Sequence, residues 1–192
     1  MKTNLKAVFA LGVAVCALAF SSSASAQGII TFDTANFDDF SKGQTLYNGN
    51  PVGAGFVGQI YISDTLNGAY TAIGSPVAFR TDAGIGYIQG TDVVTSSPIN
   101  SSVFYQVRAW NTAAGASFEL ASANSGIVGT SESVQVTLGG TIAGNPPTVI
   151  PFPQANLHSS FSLSVAAVPE PTTIALGVLG GLGLLARRRR NA

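Results

Sequence analysis

The sequence predicts a mostly β protein, built as a single antiparallel β-sandwich between two short terminal segments. Three observations predict it. Short runs alternate apolar and polar side chains, the period of a strand with one buried face. Turn-forming clusters punctuate these runs at Asn48-Gly49-Asn50-Pro51, Asn67-Gly68, Ser97-Pro98, Gly139-Gly140 and Asn145-Pro146-Pro147. Only 9% of residues are charged, and Gly, Ser, Thr and Asn supply the polarity instead, a composition suited to many strands and turns.

The first 26 residues have a different character. Lys2 and Lys6 precede an uncharged run from Ala7 to Phe20, and a serine stretch leads to Ala24-Ser25-Ala26. A basic start, a short apolar core and a small-x-small site make a secretory signal peptide, cleaved by signal peptidase between Ala26 and Gln27. The apolar run is shorter than the roughly 20 residues of a membrane span. Cys16 is the only cysteine and lies inside this segment, preceded by Val15 rather than by the small residue that lipidation needs. The mature chain then has no thiol, and its folding rests on an ordinary core.

Residues 27–167 read as one domain, about 140 residues, enough to bury such a core. In chain order the expected strands are Ile29 to Phe32, Phe56 to Ser63, Val77 to Arg80, Gly86 to Gln89, Val103 to Trp110, Ser133 to Leu138, Val149 to Phe152 and Phe161 to Val165. Alternation turns Ile60, Ile62, Val107, Val134, Val136 and Leu163 inward, and sets Gln59, Tyr61, Ser63, Gln106 and Arg108 on the opposite faces. Ser117 to Asn124 fits a short helix or a strand, with Gly126 placed to end a helix. Tyr105-Gln-Val-Arg-Ala-Trp-Asn111 followed by Gly115-Ala-Ser117 is similar to the late strands of fibronectin type III domains, which implies an immunoglobulin-like form of the sandwich.

Charge is distributed unevenly. Of nine basic residues, Lys2, Lys6 and Arg187 to Arg190 lie in the ends. Lys42, Arg80 and Arg108 face Asp33, Asp38, Asp39, Asp64, Asp82, Asp92, Glu119 and Glu132 in the domain. A mildly acidic, charge-poor domain lacks the basic footprint of a nucleic-acid binder, so no nucleic-acid partner is expected.

The last segment, residues 168–192, reads Val168-Pro169-Glu170-Pro171, an uncharged run over 172–186, then Arg187-Arg188-Arg189-Arg190. The prolines impose an extended stretch. The run rich in Leu, Gly and Ala forms a transmembrane helix of about 22 Å, short of the roughly 30 Å hydrocarbon core unless the bilayer thins or the arginines snorkel. Four arginines resist translocation and mark the cytoplasmic end. Gly177 and Gly181 form a Gly-x-x-x-Gly pair, found both at packing faces and commonly in such helices.

Together these elements resemble a PEP-CTERM sorting signal. The resemblance implies export from a bacterium, a transient membrane anchor, and processing near Pro169-Glu170-Pro171 by an exosortase, a membrane-embedded cysteine transpeptidase-like enzyme. It also implies an exopolysaccharide-producing, biofilm-type setting and a final place at the cell surface or outside the cell. It transfers no activity to the domain.

Catalytic machinery is sparse. His158 is the only histidine, and no Gly-x-Ser-x-Gly elbow accompanies it. Asp33, Asn36, Asp38 and Asp39 offer hard oxygens that could meet calcium, but their spacing does not match an EF-hand loop, so a solvated acidic loop is the default and calcium the alternative. Tyr47, Tyr61, Tyr70, Tyr87, Tyr105 and Trp110 are either core or a stacking platform for sugars. Asn100-Ser101-Ser102 matches a glycosylation acceptor, of little weight in a bacterial setting. No cofactor and no resident metal are expected. The leading expectation is a noncatalytic surface or matrix protein associated with polysaccharide; the alternative is a secreted hydrolase acting on carbohydrate or ester bonds. N-terminal mass spectrometry of protein from the producing cells is expected to find Gln27 first. A mature chain still carrying residues 7–20 would refute the signal peptide.

Overall fold

The computed structural model describes residues 26–36, 39, 41–144, 148–151 and 153–167. Twelve strands and one short helix fill this region. They are β1 (Gln27–Thr31), β2 (Thr45–Tyr47), β3 (Asn50–Pro51), β4 (Phe56–Ser63), β5 (Thr71–Ala78), β6 (Asp92–Pro98), β7 (Ser102–Asn111), α1 (Phe118–Ala123), β8 (Ile127–Thr130), β9 (Val134–Thr137), β10 (Gly140–Ile142), β11 (Thr148–Ile150) and β12 (Phe161–Val165). The protein is mostly β, as its alternation and turn spacing predict.

One large sheet runs in the order β3-β2-β12-β8-β7-β4-β5, with β9 also paired to β7. Two smaller sheets, β1-β6 and β10-β11, complete the fold. The pairing is antiparallel except at β12 and β2, where Phe161, Ser162 and Leu163 lie parallel to Thr45, Leu46 and Tyr47. The expected arrangement is antiparallel, and this one strand pair is its exception. A parallel pair needs a crossover rather than a hairpin, and here nearly the whole domain separates the two strands.

β7 is the spine. Its alternation buries Val103, Tyr105, Val107 and Ala109 completely, and it takes β4 along one side through eight paired residues, Phe56↔Asn111 to Ser63↔Phe104. Its other side is shared. β9 pairs with residues Ser102 to Tyr105, and β8 with Arg108 to Trp110. Ser131 fills the interval between them. Its backbone N–H donates to the Val107 carbonyl, its hydroxyl accepts from the Val107 N–H, both at 2.9 Å, and that hydroxyl donates to the Glu132 carbonyl. A buried serine thus replaces a missing ladder rung.

The core is continuous. Ile30 and Phe32 from the β1 side and Val93 from β6 pack with Ile60, Ile62, Val103, Tyr105, Val107, Val136, Leu138 and Leu163 of the larger assembly. Ile60, Ile62, Val107, Val136 and Leu163 are buried as alternation predicts, while Val134 is partly buried against the same cluster. β4 departs from the one-sided pattern. Gln59, Tyr61 and Ser63, expected on an open face, are buried too. Tyr61 lies under α1, and the Gln59 amide donates to the Gly74 carbonyl at 2.7 Å. That carbonyl belongs to a register shift in β5, where Gly74 adopts φ +61°.

The undecided stretch is a helix. Ser117 caps it, its side chain accepting from Leu120 N–H at 3.2 Å, and Gly126 N–H returns to the Ala121 carbonyl at 2.7 Å. Six residues make no autonomous helix. Phe118 holds it down, edge-on to the Tyr61 and Trp110 rings.

Two expected strands change. Gly86 to Gln89 is not a strand but the end of a turn, because Gly86 takes φ +88° and its N–H and carbonyl are spent on Val52 and Thr45. The strand expected over Val77 to Arg80 is the end of β5, which starts earlier at Thr71 and stops at Ala78. The strand expected from Val149 corresponds to β11, but Phe152 lies outside the described residues. β6 has no counterpart among the expected strands, since its inward positions include Thr95, buried despite its hydroxyl.

Ser131→Ala removes both side-chain bonds and leaves the Val107 N–H unpaired in the core. The expected loss is about 1–3 kcal/mol. Urea unfolding is the check: the midpoint falls and the slope stays unchanged. An unaltered midpoint would contradict the role given to Ser131.

Candidate functional site

The best-formed polar cluster lies on the outer face of β4 and β7. Their register sets Arg108 opposite Gln59, one step along from Tyr61, which faces Gln106. Tyr61 and Arg108 therefore share a face as diagonal neighbours. The Arg108 guanidinium sits 4.1 Å from the Tyr61 ring centroid and 5.2 Å from that of Phe118. Such contacts hold a cation through the ring quadrupole and fix its plane. Tyr61 donates its hydroxyl to Glu119 Oε1 at 2.9 Å, and Arg108 Nη1 lies 3.6 Å from the same oxygen. Burial, then the bond to Glu119, pushes the Tyr61 phenol up to about 12, so it stays a donor.

Beside this cluster runs a groove of about 510 Å³, lined by Arg108, Phe118, Glu119, Ser122, Ala123 and Ala167. Its cation is incompletely satisfied. Arg108 Nε is buried without a hydrogen-bond partner, and 3.6 Å to Glu119 exceeds an ordinary hydrogen bond. Arg80 is different. It forks onto Asp82 at 2.8 and 2.7 Å, which draws the Asp82 carboxyl well below the usual range. The hollow beside Arg80, lined also by Gln44, Ile85 and Tyr87, is about 280 Å³.

His158 is fully buried. Its ring meets Tyr105 and Phe161 edge-on, with centroids 6.4 and 5.5 Å away. Nδ1 lies 3.0 Å from the Ser159 carbonyl, which fixes that nitrogen as the N–H donor, and Nε2 is a buried lone pair without a partner. Burial pushes the imidazole below its ordinary value, a pull that the Ser159 carbonyl and the Glu132 charge oppose. Glu132 itself accepts from Ser159 N–H at 2.7 Å, and Tyr105 Oη accepts from Leu157 N–H at 3.1 Å. A sealed, neutral ring walled by aromatics is a packing element; it presents no nitrogen to a substrate.

The acidic loop has a structural use. Asp33 Oδ1 accepts from Ala35 N–H, Asn36 Oδ1 from Asp39 N–H, and Asp39 Oδ1 from both the N–H and the hydroxyl of Ser41. These are turn-forming contacts of short polar side chains. Asp38 lies outside the described residues. Among the described residues no three His, Cys, Asp or Glu side chains are grouped to hold a metal ion. The aromatic residues do not gather into one platform. Tyr61, Tyr105 and Trp110 are buried, and Tyr47, Tyr70 and Tyr87 are half-buried in separate surroundings. Glu119 and Glu132 are engaged separately, one with Tyr61 and Arg108, the other with Ser159. Sequence reasoning placed Tyr61 and Arg108 outward but had no signal that α1 would cover them with Phe118 and Glu119.

At the N-terminal side, β1 begins at Gln27, and the Ala26 carbonyl accepts from Ile99 N–H at 3.1 Å. Cleavage after Ala26 leaves every residue of β1 in place. Ala24, the motif Val168, Pro169, Glu170 and Pro171, the run over 172–186 and Arg187, Arg188, Arg189 and Arg190 lie outside the described residues. Among the described residues no helix is long and apolar enough to cross a membrane. Comparison with known families matches residues 167–190 to the PEP-CTERM protein-sorting motif. No curated protein matches the chain significantly. No solved structure does either.

The buried histidine makes stability depend on pH. Its folded-state value lies below 6.5, so as pH falls through 6.5 the unfolded chain takes up the proton first, and stability drops until the folded value is passed. Urea midpoints measured from pH 7.5 to 5 are expected to fall, by at most about 1.4 kcal/mol per pH unit. His158→Phe removes that slope. An equal slope in the variant would assign it to other groups.

Proposed function

We propose that this chain is a noncatalytic component of the bacterial surface or extracellular matrix, displayed after export and associated with exopolysaccharide. The premise is the PEP-CTERM motif at residues 167–190, which indicates an exported protein with a C-terminal membrane-anchored sorting signal, handled by an exosortase. That motif is the observation that carries the reading. The chain devotes both of its ends to placement and leaves the domain between them as the cargo.

Within the domain, several features support display over turnover. The only histidine is sealed in the core. General acid–base and nucleophilic catalysis need an accessible base beside a nucleophile and an orienting group, and the His158 ring instead faces Tyr105 and Phe161. We read the β1–β6 pair, packed over the large sheet through Ile30 and Val93, as the second layer of an immunoglobulin-like sandwich. Such a scaffold presents loops at its ends to partners. A surface poor in charge and rich in Ser, Thr and Asn suits hydrogen bonding to hydrated polymer. The tail serves as a temporary anchor, cut at or near Pro169-Glu170-Pro171, and the remaining domain stays at the surface or outside the cell.

Fractionation of the producing cells tests the reading. The wild-type domain is expected in surface and extracellular fractions without Ala192. Replacing Pro169, Glu170 and Pro171 should leave an uncut, membrane-held form, and replacing Arg187 to Arg190 by Ser should weaken retention of the tail on the cytoplasmic side. The same protein is expected to turn over neither glycoside nor ester substrates. Turnover that vanishes in His158→Ala would overturn the noncatalytic assignment.

A further inference from the structure

We propose that the groove beside α1 is a binding site for neutral carbohydrate. Arg108 donates to, and Glu119 accepts from, neighbouring hydroxyls of one sugar unit, while the sugar's C–H face lies on the Phe118 ring. The inference rests on the display reading and names the surface through which polysaccharide is held.

Four observations carry it. The first is an oriented but open ion pair. Arg108 Nη1 and Glu119 Oε1 stand 3.6 Å apart, too far for an ordinary hydrogen bond, so the Nη groups at the groove are not closed by the carboxylate. A sugar's adjacent hydroxyls each donate and accept, which fits a guanidinium beside a carboxylate. Both described contacts of Glu119, the hydrogen bond from Tyr61 and the 3.6 Å approach of Arg108, fall on Oε1.

The second is preorganisation. Two aromatic rings and the Tyr61 hydroxyl fix both charged groups before any ligand arrives. Less side-chain freedom is then lost on binding. The third is the apolar wall. Phe118, Ala123 and Ala167 line the groove with the Ser122 hydroxyl among them, and about 510 Å³ lies within the range of small-ligand sites. The fourth is charge. The ectodomain's three basic side chains are outnumbered by eight acids, and Glu119 faces the groove directly, which disfavours an anionic sugar. The hollow at Arg80 is smaller, and its guanidinium is already closed by Asp82.

The site contains its own reporter. Trp110 is the only tryptophan, and its ring lies edge-on to Phe118 at 6.4 Å. The experiment titrates the full chain in detergent with neutral glucan, mannan and galactan fragments and with polygalacturonate, following Trp110 emission. A saturable change with at least one neutral fragment is expected. Glu119→Gln keeps an oxygen to accept from Tyr61 but removes the charge, and should weaken that binding roughly tenfold with an unchanged urea midpoint. Phe118→Leu should weaken it similarly, and Arg80→Gln should leave it unchanged. Absence of saturable binding by every neutral fragment overturns the proposal. So does equal binding by Glu119→Gln, or tighter binding of polygalacturonate. Retention of Glu119→Gln in the cell-surface matrix at the wild-type level would move the contact elsewhere while leaving the display reading intact. Turnover or failed surface delivery would strike the display reading instead.

Discussion

Eight residues of β4 face eight residues of β7 in unbroken antiparallel register, and both strands are covered on both faces over most of that length. Nothing covalent assists them, because the only cysteine is Cys16, in the segment assigned to the signal. The burial of Ile60, Ile62, Tyr105 and Val107 on one side of this pair therefore stands in for cross-links. Each fully buried side chain of that size contributes on the order of 1.5–3 kcal/mol against a large entropic cost. The remaining elements are fitted to the pair. β5 extends it through a register shift, β8 and β9 share its far side with Ser131 between them, and α1 lies across its outer face.

The outer cluster is a consequence of the same register. Tyr61 and Arg108 become neighbours only because β4 and β7 are aligned residue for residue. Phe118 and Glu119 arrive together because the helix begins directly after the Ser117 cap. One short helix thus converts a plain strand face into a groove with an aromatic floor, a carboxylate and a guanidinium. A one-residue slip would turn Tyr61 and Arg108 to opposite faces.

Alternation made β4, β7, β9 and β12 legible, because each places apolar residues at every second position, although in β12 only Leu163 is buried and Val165 is exposed. It failed where polar side chains point inward. β6 buries Thr95 and is edged by serines, so its period is invisible in hydrophobicity alone. Ile88 misled in the other direction. It is a buried apolar residue in a turn, held by the Thr34 hydroxyl on its N–H rather than by a ladder. The parallel pairing of β12 with β2 depends on contacts across more than a hundred residues, which no local pattern encodes. The acids near Asp33 and Asp39 read as an acidic loop from their spacing, and the turn contacts two residues long that they make needed the folded chain to be seen. The groove was the least legible feature, since its parts come from three separated segments that only the folded chain assembles.

β5 forms one edge of the large sheet. Gly74 takes a left-handed backbone conformation there, and Pro76 has no N–H to offer. An incoming strand needs a regular comb of donors and acceptors, and this edge interrupts it twice within three residues. Such an interruption works against edge-to-edge self-association of the folded domain. Two copies that meet at β5 find no continuous ladder to extend.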